Sequence, residues 1–138
     1  KLDEAKKYYA KSIAVGEKTR DLKLINSTQI RLNFLTLDQD VLEAEDGFRR
    51  LMKDAQRGHY IDNELEIYNG LGIMFEARLM YDKATESYLK GLRIAEKYDK
   101  KFATGYLLNN LALLKLKAKK YNESIAHIQL ILDSLKPE

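Results

Sequence analysis

The sequence predicts an all-α chain built as an α-solenoid, a stack of antiparallel helix pairs, and three observations carry that prediction. Apolar residues recur at helical spacing almost throughout, as in Tyr68, Leu71, Gly72 and Phe75, or in Tyr88, Gly91, Leu92 and Ala95. Four small residues, Ala5, Ala44, Ala84 and Ser124, stand 39, 40 and 40 positions apart. Each is followed four residues later by a large apolar one: Tyr9, Phe48, Tyr88 and Ile128. A small-then-large step at a fixed period is the mark of a helical array. The single proline, Pro137, lies at the C-terminal end, so no interior helix is interrupted.

Seven helices are expected. The first, over 2–18, carries Leu2, Ala5, Tyr9 and Ser12 and reads as the second helix of a truncated repeat. The next two, 22–37 and 40–56, form a pair, and Asp40 with Glu43 has capping-box spacing at the start of the latter. The helices at 62–79 and 82–97 form the best-defined pair, with Asp82 placed to cap the second. Here Gly72 and Ala84 allow close approach, while Phe75 and Tyr88 fill the space beside them. The pattern returns forty residues on in Leu108, Leu111 and Ala112, then Tyr121, Ser124, Ile128 and Ile131. That recurrence predicts a third pair, 102–118 and 121–135, with Asn122 as its cap. Brief polar stretches at 18–21, 57–58, 98–100 and 119–120 are the connections, and connections this short force neighbouring helices to run antiparallel. The whole chain, 1–138, reads as one domain and, since it opens in mid-pattern at Lys1, as a fragment of a longer protein.

Composition narrows the function classes. With 45% hydrophobic and 33% charged residues, the chain has enough apolar mass for a core. The net charge of +3 is small and its lysines and glutamates are interspersed, against the single basic stripe expected of a nucleic-acid binder. There is no cysteine, hence no disulfide or thiolate chemistry, which fits a reducing, cytoplasmic setting. The longest apolar tract is broken by Asn109, Asn110 and Lys115, so no membrane span is expected. His59 and His127 have no metal-ligand spacing, the first belonging to a turn and the second to a solvated helix flank. Asp38 and Asp40 begin like a calcium loop, but Leu42 replaces the next oxygen ligand. No phosphate loop and no nucleophile–base set is present. The expectation is a non-enzyme with no cofactor and no metal.

Tyr68, Leu71, Gly72 and Phe75 on one helix, with Ala84, Tyr88 and Gly91 on the next, resemble the tetratricopeptide repeat almost position for position. The unit at 108–131 resembles it less closely, with Ala112 for glycine, Lys115 for the aromatic residue and Ile131 for the small one. In the unit at 25–51, Ala44, Phe48 and Leu51 fit the second helix, but Arg31 and Leu32 fall on the Leu-Gly pair. The period near 40 is similar to longer-helix variants of that family. The resemblance implies a right-handed solenoid whose first helices line a concave groove, and a scaffold that binds a peptide or protein segment there.

On that expectation the binding residues are Asn33 on one first helix; Glu66, Asn69, Ile73 and Glu76 on the next; and Tyr106, Asn109, Asn110, Leu113 and Lys117 on the last. Asn26, Gln29, Ile30, Thr36, Gly70, Ala77 and Leu116 are placed on the same faces. Each asparagine amide carries both a donor and an acceptor, so it can grip a peptide main chain of any sequence. The alternative is the sensory or dimerisation domain of a bacterial signalling protein, a transcription regulator or histidine kinase. The apolar character of the final helix, through Ile125, Ile128, Leu130, Ile131, Leu132 and Leu135, adds a possible homodimer.

Overall fold

The computed structural model describes residues 1–137. Six helices follow in order: α1 (Leu2–Thr19), α2 (Leu22–Leu37), α3 (Val41–Gly58), α4 (Ile61–Ala77), α5 (Tyr81–Lys97) and α6 (Lys101–Ser134). The described residues contain no strand. None of these helices is long and apolar enough to cross a membrane.

The helix boundaries have local causes. Asp21 and Asp40 cap α2 and α3, their carboxylates accepting from the backbone N–H of Leu24 at 2.9 Å and of Glu43 at 3.0 Å. Asp82 does not cap α5, which begins one residue earlier with Met80 at the cap position. Four helices end the same way. Arg20, His59, Leu79 and Asp99 each adopt a left-handed conformation, with φ of 56°, 54°, 59° and 51°. The next residue then donates its N–H back across the turn: Asp21 to Gly16 O, Tyr60 to Ala55 O, Met80 to Phe75 O and Lys100 to Ala95 O, all at 2.8–2.9 Å. This satisfies carbonyls that a helix end would otherwise leave open and reverses the chain.

Each helix packs on its successor. In addition α2 touches α4 and α4 touches α6, whereas α1, α3 and α5 make no such contact with one another. The even-numbered helices therefore form one continuous row. Buried between the rows are Ile30, Phe48, Leu65, Ile67, Met74, Tyr88, Leu107 and Leu114, the largest side chains with essentially no exposed surface. At the α4–α5 crossing, a Cβ added to Gly72 would lie 2.2 Å from the Tyr88 ring, and one added to Gly91 would lie 3.1 Å from Tyr68 Cβ. Two small residues thus seat two aromatic ones, each across the helix pair. In α2–α3 the arrangement is different: the notch is Gly47 of α3, and what fills it is Asn33 of α2.

The expected third pair is not formed. Residues 118–121 continue as helix, so the count is six helices and not seven, and Asn122 lies inside α6 instead of capping a new helix. Ala118, Lys119 and Lys120 are strong helix formers. Forty residues earlier the same positions are Arg78, Leu79 and Met80, where Leu79 turns left-handed and the Met80 N–H bonds back to Phe75 O. The counterparts of Leu79 and Met80 are Lys119 and Lys120, and the backbone there stays helical. α6 runs unbroken for 34 residues, about 51 Å.

Candidate functional site

The row formed by α2, α4 and α6 gathers most of the polar side chains singled out by the sequence. On α4 the residues Asp62, Glu66, Asn69, Ile73 and Glu76 follow a 4-3-4-3 spacing, which keeps them on one helix face. On α6 the residues Tyr106, Asn110, Leu113 and Lys117 do the same. The two stripes meet in rungs one repeat apart. Asn110 Nδ2 donates to Asn69 Oδ1 at 2.6 Å, and the Lys117 ammonium lies 3.5 Å from Glu76 Oε1. Toward α2, the Arg31 guanidinium lies 3.6 Å from Glu66, and Asn63 donates to Asn26 Oδ1 at 2.9 Å. Lys100, just before α6, pairs with Asp62 at 3.0 Å.

Not every residue assigned to this face belongs to it. Asn26 and Ile30 are buried, because α2 and α4 touch along the line they occupy. Asn26 donates to Leu51 O of α3 at 3.1 Å and serves packing. Asn33 donates to Ala44 O at 2.7 Å across the Gly47 notch, so its amide joins α2 to α3. Gly70 is buried under the Phe48 and Phe34 rings, which its missing side chain admits. Glu66, Asn69, Ile73, Glu76, Tyr106 and Asn110 are half-buried, while Asn109, Leu113, Leu116 and Lys117 are exposed. The Asn109 side chain makes no hydrogen bond among the described residues.

Sequence reasoning missed Arg31, Asn63 and Phe102. Arg31 falls at the position expected to carry an apolar residue, and its pairing with Glu66 joins adjacent repeats. Phe102 is 87% exposed and stands edge-on to Tyr106 with ring centroids 5.7 Å apart. Together with Asp62, Glu66, Asp99 and Lys100 these rings line an open cavity of about 420 Å³ between the starts of α4 and α6.

Electrostatics follows from burial. The Glu66 carboxyl is held above the usual carboxylate range by desolvation, against the pull of Arg31 and with a push from Asp62. Burial, with the nearby charges of Glu66 and Asp62, raises the Tyr106 phenol to about 12. Glu76 is fixed from behind, since the Tyr88 hydroxyl of α5 donates to Oε2 at 2.7 Å. Its Oε1 is buried without a hydrogen bond, and the Lys117 charge is what compensates it. The Asn69–Asn110 rung uses one donor and one acceptor. It leaves Asn69 Nδ2 and Asn110 Oδ1 with hydrogen-bonding capacity, beside the apolar Ile73 and Leu113.

Comparison with protein-family models, with curated proteins and with solved structures gives no match.

Proposed function

We propose that this chain is a tetratricopeptide-type scaffold: a right-handed α-solenoid that holds a peptide or protein segment along the face of α2, α4 and α6. The observation that carries the reading is the Asn69–Asn110 rung. It offers an amide donor and an amide acceptor side by side, the complement of one peptide group, with Ile73 and Leu113 beside it for apolar side chains. Three features support it further. The even-numbered helices form a continuous row, as the inner helices of a solenoid do. The interlock of Gly72 with Tyr88 and of Gly91 with Tyr68 gives a packing role to residues that carry the family resemblance. The Tyr88–Glu76 bond holds one rung rigid before any ligand arrives. The pairs α2–α3 and α4–α5 are two complete repeats on this reading, and a cysteine-free scaffold of this kind suits the cytoplasm.

The experiment is selection of a random peptide library displayed on phage against the chain, followed by titration of a selected peptide. Asn69→Ala with Asn110→Ala is expected to weaken that peptide by about 1–3 kcal/mol, roughly 5- to 150-fold, while thermal unfolding shifts little. Loss of stability with unchanged intrinsic affinity would assign the amides to the fold alone. A second reading, the sensory or dimerisation domain of a bacterial signalling protein, draws support from the uncovered apolar stripe of α6.

A further inference from the structure

The apolar residues of α6 form one stripe at 4-3 spacing: Leu107, Leu111, Leu114, Ala118, Tyr121, Ile125, Ile128, Leu132 and Leu135. Its first part is core. Leu107, Leu111 and Leu114 are buried against the body of the molecule. Beyond Ala118 the stripe continues in register and exposed: Tyr121 is 40% exposed, Ile125 49%, Ile128 55%, Leu132 53% and Leu135 74%. Tyr121 marks the handover, its ring standing edge-on to Tyr81 at the start of α5 with centroids 5.6 Å apart. The 3.5-residue period is that of a helix whose partner is another helix wound along it.

We propose that a second copy of this chain covers the stripe, through an antiparallel coiled coil of residues 118–135 with their two-fold mates. The body of each molecule already occupies the stripe face over Leu107–Leu114, so a parallel partner would bring its own body into the same space. An antiparallel partner places the two bodies at opposite ends of a paired segment about 27 Å long. The symmetric register sets Ile125 against Ile128 of the second copy, Tyr121 against Leu132, and Ala118 against Leu135. The positions flanking this seam are Asn122, Ser124, Gln129 and Ile131, so no like charges face each other along its centre. This inference is independent of the peptide groove, which lies on the other part of α6.

Sedimentation equilibrium of the intact chain between about 1 and 200 μM tests the association, and a rise to the dimer mass with concentration is expected. Ile128→Lys should weaken it about 100-fold or more, because it buries an unpaired charge in the seam. Leu130→Lys should leave it unchanged, since Leu130 is also apolar and exposed but lies off the seam. Helical circular dichroism should match the parent for both variants. Orientation is read by cysteine cross-linking in a chain that has none of its own. A mixture of Ala118→Cys and Leu135→Cys chains should form the mixed disulfide, and Leu135→Cys alone should not. A monomer across the range, equal loss from both lysine variants, or self-linked Leu135→Cys would each overturn the proposal.

Discussion

Tyr88 and Ile128 occupy the same repeat position forty residues apart, and they end at opposite extremes. Tyr88 has no exposed surface; Ile128 keeps 55% of its own. The residues around them are alike in pattern, small then large at helical spacing, so pattern alone does not explain the difference. What separates the two regions is the turn before each. Between α4 and α5, Leu79 accepts a left-handed backbone and the Met80 N–H closes the turn onto Phe75 O. At 118–121 Lys119 and Lys120 stand where Leu79 and Met80 would be, and the helix simply continues. A repeat period records which residues can be buried. Whether they are buried depends on a few connecting residues that pay the cost of reversing the chain.

The comparison predicts its largest effect at the paired positions themselves. Tyr88→Ala should destabilise the protein by about 3–5 kcal/mol, the range for a buried aromatic residue cut to alanine, and it also removes the donor to Glu76. Ile128→Ala in dilute protein should change stability by less than about 0.5 kcal/mol. Urea unfolding followed by circular dichroism measures both. Comparable losses would mean that 121–135 folds back on the body after all.

Next in size is a contrast between two glycines. Gly72→Ala should cost about 1–3 kcal/mol, because its Cβ would meet the Tyr88 ring at 2.2 Å and that ring is held by its bond to Glu76. The clash outweighs the gain of about 1 kcal/mol in helix propensity. Gly105, in the first turns of α6, has nothing within 4 Å of an added Cβ. Gly105→Ala should therefore show that propensity gain undiminished, as a stabilisation of up to about 1 kcal/mol in the same assay. If Gly72→Ala stabilised instead, the close α4–α5 crossing would be wrong.

The turn hypothesis has its own test, at residues that correspond across one repeat. Leu79 carries a side chain at φ 59°, a conformation that costs a branched residue about 1 kcal/mol and costs glycine nothing. Leu79→Gly is thus expected to stabilise by about 0.5–1 kcal/mol. Lys119→Gly places glycine in the interior of α6 and should destabilise by about 1 kcal/mol, with increased amide exchange confined to 115–123. Opposite signs at equivalent positions would isolate the turn as the feature that distinguishes the two regions.

The residues themselves explain how much of this was legible. The first five helices could be read to within a few residues, because amphipathic spacing and short polar connections coincide there. The sixth connection was misread because Lys119 and Lys120 are polar like the others, and polarity does not end a helix. At the candidate site, Asn69, Asn110, Glu76 and Lys117 were legible as one face, since 4-3 spacing fixes a face without any knowledge of neighbours. The role of Asn33 was not, because it depends on where Ala44 O lies across the next helix. Gly47, a notch with no assigned partner, was the available signal. Arg31 was missed because its carboxylate belongs to a different repeat.

The smallest predicted effect separates the same two regions by pH. Glu66 sits within the body and its carboxyl is raised, chiefly by desolvation. Asp133 lies on the projecting end of α6 and its carboxyl is lowered by hydrogen bonds from Lys136 and Gln129. The signs follow from linkage. A raised folded pKa means the native state holds its proton more tightly, so the contribution of Glu66 is present below the ordinary carboxylate range and is lost as pH rises through its raised value. Glu66→Gln removes that loss. It should stabilise slightly at pH 7, by at most about 0.5 kcal/mol given the half-exposed Arg31 pair it also removes, and should be neutral near pH 3. Asp133 works the other way. Its contribution is present above its ordinary value and disappears as pH falls through the lowered one, so Asp133→Asn should fray the end of α6 at pH 7 and not at pH 2. Backbone carbon chemical shifts at 129–136 would report that fraying, and global unfolding would not, because the end of α6 rests on nothing whose loss could unfold the body. Matching pH responses from the two variants would place both carboxylates in the same environment and dissolve the distinction between body and projecting helix.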